Sequence, residues 1–138
     1  MANFVSEDQI EKATIDVLVN KLGYRHKNCY DTDCSGREQE SDVVIKPLLR
    51  SQLIKLNPDL PEKAIDEAFN LICQTRFDMS DLMANKEIYG LIKDGVRVKF
   101  NNAKGKKEEK IVKVIDFADE TKNDFLVTYQ LCVQGDFR

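Results

Sequence analysis

Residues 113–133 read KVIDFADETKNDFLVTYQLCV, and the fold expected for the whole chain turns on this stretch. Two apolar runs, Ile111 to Phe117 and Asp124 to Val133, are joined by a short polar turn, the pattern of two strands in sequence. Everything upstream reads as elements that pack on these strands or lead into them.

Immediately before them the period is two. Val96, Val98 and Phe100 alternate with Arg97 and Lys99, which predicts a half-exposed strand after Gly95. Asn101 to Lys107, NNAKGKK, is rich in turn formers and predicts an antiparallel hairpin to the next strand. Further upstream the period is helical. Ser6 with Gln9 three residues on forms a capping box, and Val5 with Ile10 is placed for a hydrophobic staple. Ile10, Ala13, Val17 and Leu18 give that first helix an inward face, and Gly23 supplies a left-handed cap. Tyr24 to Asn28 begins an extended segment, followed by a polar run from Asp31 to Ser41 that reads as a mobile loop.

A second helix starts near Lys46, with Leu48, Leu49, Gln52, Leu53 and Leu56 inward, and Asn57-Pro58 stops it. Pro61 opens a third helix, Glu62 to about Thr75, with Ile65, Ala68, Phe69 and Ile72 inward. Ser80 caps a fourth, whose stripe is Leu82, Met83, Ile88, Leu91 and Ile92, weakened by Gly90 unless a close contact needs a small residue there. Helices first and strands last predict an α+β or mixed α/β fold, with N-terminal helices packed on a short sheet.

The 138 residues fit one domain, 1–138, able to bury roughly two-thirds of the unfolded surface. A composition 42% hydrophobic and 33% charged excludes collagen-like or low-complexity chains. No apolar run approaches a membrane span and MANFVSEDQ has no basic segment followed by an apolar one, so a cytoplasmic protein is expected. With 24 acids against 21 bases, any contact with nucleic acid must be local. The four cysteines read as free thiols, Cys73 and Cys132 as small buried hydrophobes. Cys29, Cys34 and His26 with Asp31 make a weak metal pattern, lacking a second pair.

A magnesium-dependent nuclease needs an Asp and a Glu-x-Lys at adjacent strand ends, because the carboxylates hold the ion that polarises the phosphate and activates water. Asp94 with Glu108 and Lys110 matches formally, but Asp94 ends a helix and KGKKEEK reads as a solvated hairpin. Glu120-Thr121-Lys122 lies in a turn only four residues after Asp116, too close for two strands. Asp116 and Asp124 flank that turn as capping residues. Neither a phosphate-binding glycine loop nor a nucleophile–base pair is present. Lys104, Lys106, Lys107 and Lys110 form the one concentrated basic patch, diluted by Glu108 and Glu109.

Four segments taken together, SEDQIEKATIDVLVNKLGY at 6–24, LNPDLPEKAIDEAF at 56–69, NKEIYGLIKDGVRVKF at 85–100 and KVIDFADETKNDFLVTYQLCV at 113–133, resemble the N-terminal region of the restriction (R) subunit of type I restriction-modification enzymes. The last is the most specific, with its IDF strand, its NDFLV strand and the following Gln130. The resemblance implies a PD-(D/E)xK nuclease fold, here incomplete. The family's catalytic Asp and Glu-x-Lys come shortly after the segment resembling 124–133, so the chain is expected to be an inactive fragment with the ATP-driven motor domains beyond it. The intact enzyme would use Mg²⁺ and ATP, with no cofactor expected in the fragment, and would have DNA and the modification and specificity subunits as partners. Glu11, or Glu7 one turn earlier, is implied as an auxiliary carboxylate of the metal site. Loss of a neighbouring strand would leave 124–133 an exposed edge, so self-association of the fragment is expected. The competing function is a non-enzymatic interaction domain that docks a partner through the helical hairpin Lys46 to Thr75, and a third is a metal-binding regulator using Cys29, Cys34 and His26.

Overall fold

Residues 4–30 and 36–135 are described by the computed structural model, whose chain divides into two compact units, Met1–Ile45 with Asp124–Arg138, and Lys46–Asn123. The fold is mixed α/β, with four α-helices and two small sheets among the described residues. Two of the four expectations at the N-terminus hold. The capping box is formed, since Ser6 Oγ accepts from Gln9 N–H and Gln9 Oε1 accepts from Ser6 N–H, and it starts helix α1, Glu7–Asp16. Gly23 takes a positive φ of 73° at the far end. The inward face is different from that expected: Ile10 and Val17 are exposed, and the less exposed side carries Glu11, Ile15, Leu18 and Val19. Val5 and Ile10 are both more than half exposed, so no staple is packed. The helix widens into a π-helical turn over Val17–Lys21, closed by Leu22 N–H on Val17 O.

In this first unit strand β1, Arg25–Asn28, pairs in parallel with β4, Leu126–Tyr129, in the register Arg25 with Leu126 to Asn28 with Tyr129. The Arg25 guanidinium forks onto both oxygens of Asp124 at 2.8 and 2.6 Å, which raises its pKa further through the hydrogen bond and the charge. Tyr24 stacks on Phe125 with centroids 5.0 Å apart. Arg37 then straps the segment after β4, donating to the carbonyls of Glu40, Asp42 and Cys132. The remainder of the predicted loop, 31–35, lies outside the described residues.

The second unit holds α2, Lys46–Leu56, α3, Glu62–Cys73, α4, Asp81–Asp94, and an antiparallel hairpin of β2, Val96–Asn101, with β3, Lys107–Val112. Its core is Leu53, Ala64, Ile65, Ala68, Ile72, Val96, Val98 and Val112. Ala64 and Ala68, one turn apart and fully buried, let α3 lie close on β2, while each Val, Leu or Ile adds about 1.5–3 kcal/mol on burial. Arg76 caps α3 by donating to the carbonyls of Leu71 and Gln74, and pairs with Glu87 of α4 at 2.9 Å. Ser80 caps α4 as expected. Leu82 and Met83 are exposed, however, so only Ile88, Leu91 and Ile92 of the predicted stripe are partly covered.

The two principal strands read from the sequence do not pair with one another. The run Ile111 to Phe117 leaves the sheet at Val112 because asparagine side chains take over the next backbone groups. Asn57, buried, accepts from Lys113 N–H at 2.8 Å and donates to Lys113 O at 2.9 Å. Asn123 does the same for Asp116, 2.8 Å each way. Asp116 Oδ1 accepts from Ala118 and Asp119 N–H, and Asp119 caps the 3-10 turn Glu120–Lys122, so the run becomes a turn assembly. The second run narrows to the four residues of β4 and ends at Gln130, whose φ is 56°.

Two tests follow from this packing. A Cβ on Gly95 would meet Ile111 Cγ2 at 2.6 Å and Val112 O at 2.9 Å at a φ of 83°, whereas one on Gly90 would meet nothing within 4 Å. Gly95→Ala is expected to destabilise by about 1–3 kcal/mol and Gly90→Ala to stabilise by about 0.5–1 kcal/mol, read from urea midpoints; equal midpoints would refute the packing. Asp116 is held below its ordinary value of 3.8, first by the Asp119 N–H and then by the Ala118 N–H, Lys113 and Lys122, against the opposing effect of burial. A depressed native value means that its stabilisation is complete above the unfolded pKa near 4 and is lost as pH falls through the lower native value. Thermal melts of Asp116→Asn should therefore fall less steeply than wild type below about pH 4; parallel curves would show that the carboxylate charge contributes nothing.

Candidate functional site

In a strand every second residue shares a face, and β1 places His26 and Asn28, with Tyr30 just beyond, along one side of a cleft of about 650 Å³ in the first unit. The parallel register sets Tyr129 opposite Asn28, and Gln130 follows it on the cleft wall. The facing wall is α1, which contributes Asp8, Glu11, Lys12, Ile15 and Asp16 at the spacing of a single helical face. Val19 and Asn20 extend that wall into the π-helical turn, whose extra residue per turn rotates the side chains that follow.

Glu11 is half-buried at the centre of this wall. Both of its oxygens accept from Gln130 Nε2, at 3.0 and 2.9 Å, across 119 residues of sequence. Its neighbours are engaged by residues four positions away. Asp8 pairs with Lys12 at 2.8 Å, a hydrogen bond that holds the ammonium above its usual pKa, and Asp16 accepts from Asn20 Nδ2 at 2.6 Å. Glu11 thus presents a carboxylate whose hydrogen bonds come from a neutral amide, with further acceptor capacity on each oxygen. Glu7 is exposed and does not line the cleft.

What this arrangement can do follows from the number of ligands. Magnesium is commonly bound by one or two carboxylates together with water and a phosphate. Glu11 suits one such position, but among the described residues no group of three or more His, Cys, Asp and Glu side chains is placed to hold a metal ion. The cleft offers three carboxylates and an ammonium beside an imidazole, two phenols and three amides, a set that can orient a polar ligand; of the carboxylates Asp8 and Asp16 are engaged within their own helix.

The remaining sequence candidates are dispersed. Asp94 lines a small hollow with Gly95 and Lys113 to Ala118, while Glu108 accepts from Asn102 and shares a different hollow with Lys110. Glu120-Thr121-Lys122 is the capped 3-10 turn, Asp116 caps its own turn, and Asp124 clamps Arg25. Among the cysteines Cys29 is the buried one, Cys73 is half-buried and Cys132 is exposed, contrary to the expectation that the last two are buried; Cys34 lies outside the described residues. Asn28, Tyr30 and Tyr129 are site residues that sequence reasoning misses. The alternation of His26, Asn28 and Tyr30 is the available signal, but it marks a site only once a helix is known to face it.

No helix among the described residues is long and apolar enough to cross a membrane. The sequence family described as type I restriction enzyme R protein N terminus matches residues 4–138. Among curated proteins, the type I restriction enzyme HindI endonuclease subunit of Haemophilus influenzae is 33% identical over 138 positions, covering 95% of this chain and 12% of that protein. A protein of Methanocaldococcus jannaschii, named as the putative MjaIXP endonuclease subunit of a type I restriction enzyme, is 32% identical over 134 positions, again 94% of this chain and 12% of the relative. The chain therefore spans about an eighth of the length of these relatives, and no solved structure matches it.

Proposed function

Because this chain belongs to the family of type I restriction enzyme R protein N-termini, we propose that it is the N-terminal portion of a DNA-cleaving subunit whose nuclease site includes Glu11. In this reading the intact subunit has a PD-(D/E)xK nuclease fold, works in the cytoplasm with modification and specificity subunits, and consumes ATP for translocation. Bound Mg²⁺ would polarise the scissile phosphate and lower the pKa of the attacking water. The observation that carries the reading is the family match over nearly the whole chain, together with a Glu11 carboxylate held in a cleft by Gln130, the residue that follows the family-like strand.

Each residue then has a role of its own. Glu11 would be one of the residues holding the ion, and it is kept facing the cleft by Gln130, whose positive φ aims the amide back at α1. Glu7, exposed on the preceding turn, has no such support. Residues 1–138 alone are inactive, since the family's Asp and Glu-x-Lys would follow the segment that includes β4. The short β4, paired on one side with β1, also presents an edge through which isolated chains would associate. The interaction-domain alternative is less favoured because the apolar face of the 46–75 hairpin is spent on its own core, including Leu53, Leu56, Ile65 and Ile72.

The test uses the full-length subunit with its partner subunits, ATP and Mg²⁺. Glu11→Gln is expected to lower DNA cleavage about 10- to 100-fold while ATP hydrolysis persists, and Glu7→Gln to leave cleavage within a few-fold of wild type. Cleavage by Glu11→Gln at the wild-type rate would remove Glu11 from the site, and absence of any Mg²⁺-dependent cleavage by the intact complex would overturn the nuclease reading itself.

A further inference from the structure

The β2–β3 hairpin carries a charge opposite to that of the rest of the chain. Between Val96 and Lys113 there are seven bases and two acids, in a protein whose net charge is −3. The two acids are already engaged. Glu109 lies between Arg97 and Lys99, and its carboxyl is held below the usual range by the hydrogen bond from Arg97. Glu108 accepts from Asn102 Nδ2 at 2.8 Å. Lys104, Lys106, Lys107 and Lys110 are exposed, and none of them forms an ion pair among the described residues.

Lys104 and Lys106 lie in the turn and Lys107 opens β3, while Lys110 stands farther along that strand, opposite Val98; the turn is ordered by its own hydrogen bonds. Asn102 Oδ1 accepts from Lys104 N–H at 2.9 Å and from Lys106 N–H at 3.0 Å. Asn102 N–H donates to Lys106 O, and Gly105 N–H to Asn102 O. Behind it, Val96 and Val98 anchor the hairpin in the core, while the register places Lys107 beside Asn101 on the face that also bears Arg97 and Lys99. A rigid ribbon with an unneutralised basic tip concentrates positive potential where a flexible tail would disperse it.

We propose that this hairpin is a second DNA-binding surface, contacting the phosphate backbone of duplex DNA through Lys104, Lys106, Lys107 and Lys110. The assignment of DNA rather than another polyanion rests on the nuclease reading above; the surface itself rests on the charge distribution of the second unit. Lysines act on phosphate as point charges and carry little sequence information, so the contact is sequence-independent and depends steeply on salt. Its place in the intact enzyme is to hold the duplex by its backbone, leaving sequence recognition to other groups.

The test is fluorescence anisotropy of a labelled duplex of about 30 base pairs with the 138-residue protein, titrated at several salt concentrations. Replacing all four lysines by Gln should weaken binding at low salt at least tenfold, and should flatten the plot of log affinity against log salt by roughly 0.9 for each phosphate that is no longer neutralised. Lys21, Lys55, Lys86 and Lys93, which lie outside the hairpin, changed together to Gln give the same change in net charge and should leave the slope intact. The four-lysine change to Arg should retain binding, which separates charge from damage to the hairpin. Failure of the wild type to bind duplex, equal weakening in both Gln variants, abolished binding in the Arg variant, or tighter binding of an RNA of equal length would each overturn the proposal. None of these outcomes alters whether Glu11→Gln blocks cleavage by the intact subunit, so the two readings fail separately.

Discussion

The parallel pairing of β1 with β4 is the constraint on which the first unit depends. Four residues from each strand, about a hundred positions apart, meet with their ends fixed by the Arg25–Asp124 fork and the Tyr24–Phe125 stack. Parallel strands cannot be joined by a tight turn, so the chain between them must be long, and here it contains the whole of the second unit. The loop-closure entropy of such a pairing is high, though it grows only slowly with length. A bidentate charged pair and an aromatic stack beside a four-residue ladder are the kind of reinforcement that so short a pairing needs. Without it Gln130 would not reach Glu11, and the cleft would lose one wall.

The second unit is held by more ordinary means. Two small residues of α3 bring that helix close to β2, and the hairpin supplies three fully buried valines to the same core. Where β3 leaves the sheet, Asn57 and Asn123 replace the hydrogen bonds of a neighbouring strand with those of a side-chain amide. A buried amide that satisfies both a backbone donor and an acceptor can end a strand without leaving an unpaired group. Gly95 completes the arrangement, because the chain turns from α4 into β2 where a β-carbon would collide with Ile111 and the Val112 carbonyl.

The two units divide the electrostatic character of the protein. The cleft of the first is lined by carboxylates, of which Asp8 is paired with Lys12 while Asp16 and Glu11 accept from side-chain amides, Glu11 from one more than a hundred positions away. The second carries its densest positive charge on one ordered hairpin. In the proposed reading the two properties serve different ends, one the ion at the reacting phosphate and the other the duplex around it. Membership of the family rests on the match over 4–138, whereas these assignments of role belong to the proposal.

By itself the sequence determined what local interactions decide. The capping box at Ser6 and Gln9, the Ser80 cap, the bounds of α2 and the β2–β3 hairpin were all legible, since each depends on residues within a few positions of one another. The four family-like segments were legible too. Tertiary structure alone decided the fate of residues 111–133. Their apolar pattern suits a strand, but Asn57 lies more than fifty positions before Lys113, and the partner of β4 is the polar RHKN of β1, legible as extended but with no apolar alternation to show what it pairs with. It also decided which face of α1 is covered, placing Glu11 inward and Ile10 outward. Hydrophobic periodicity reports which side of a segment prefers burial; the partner across a hundred residues determines which side is buried, and that partner leaves no local mark in the sequence.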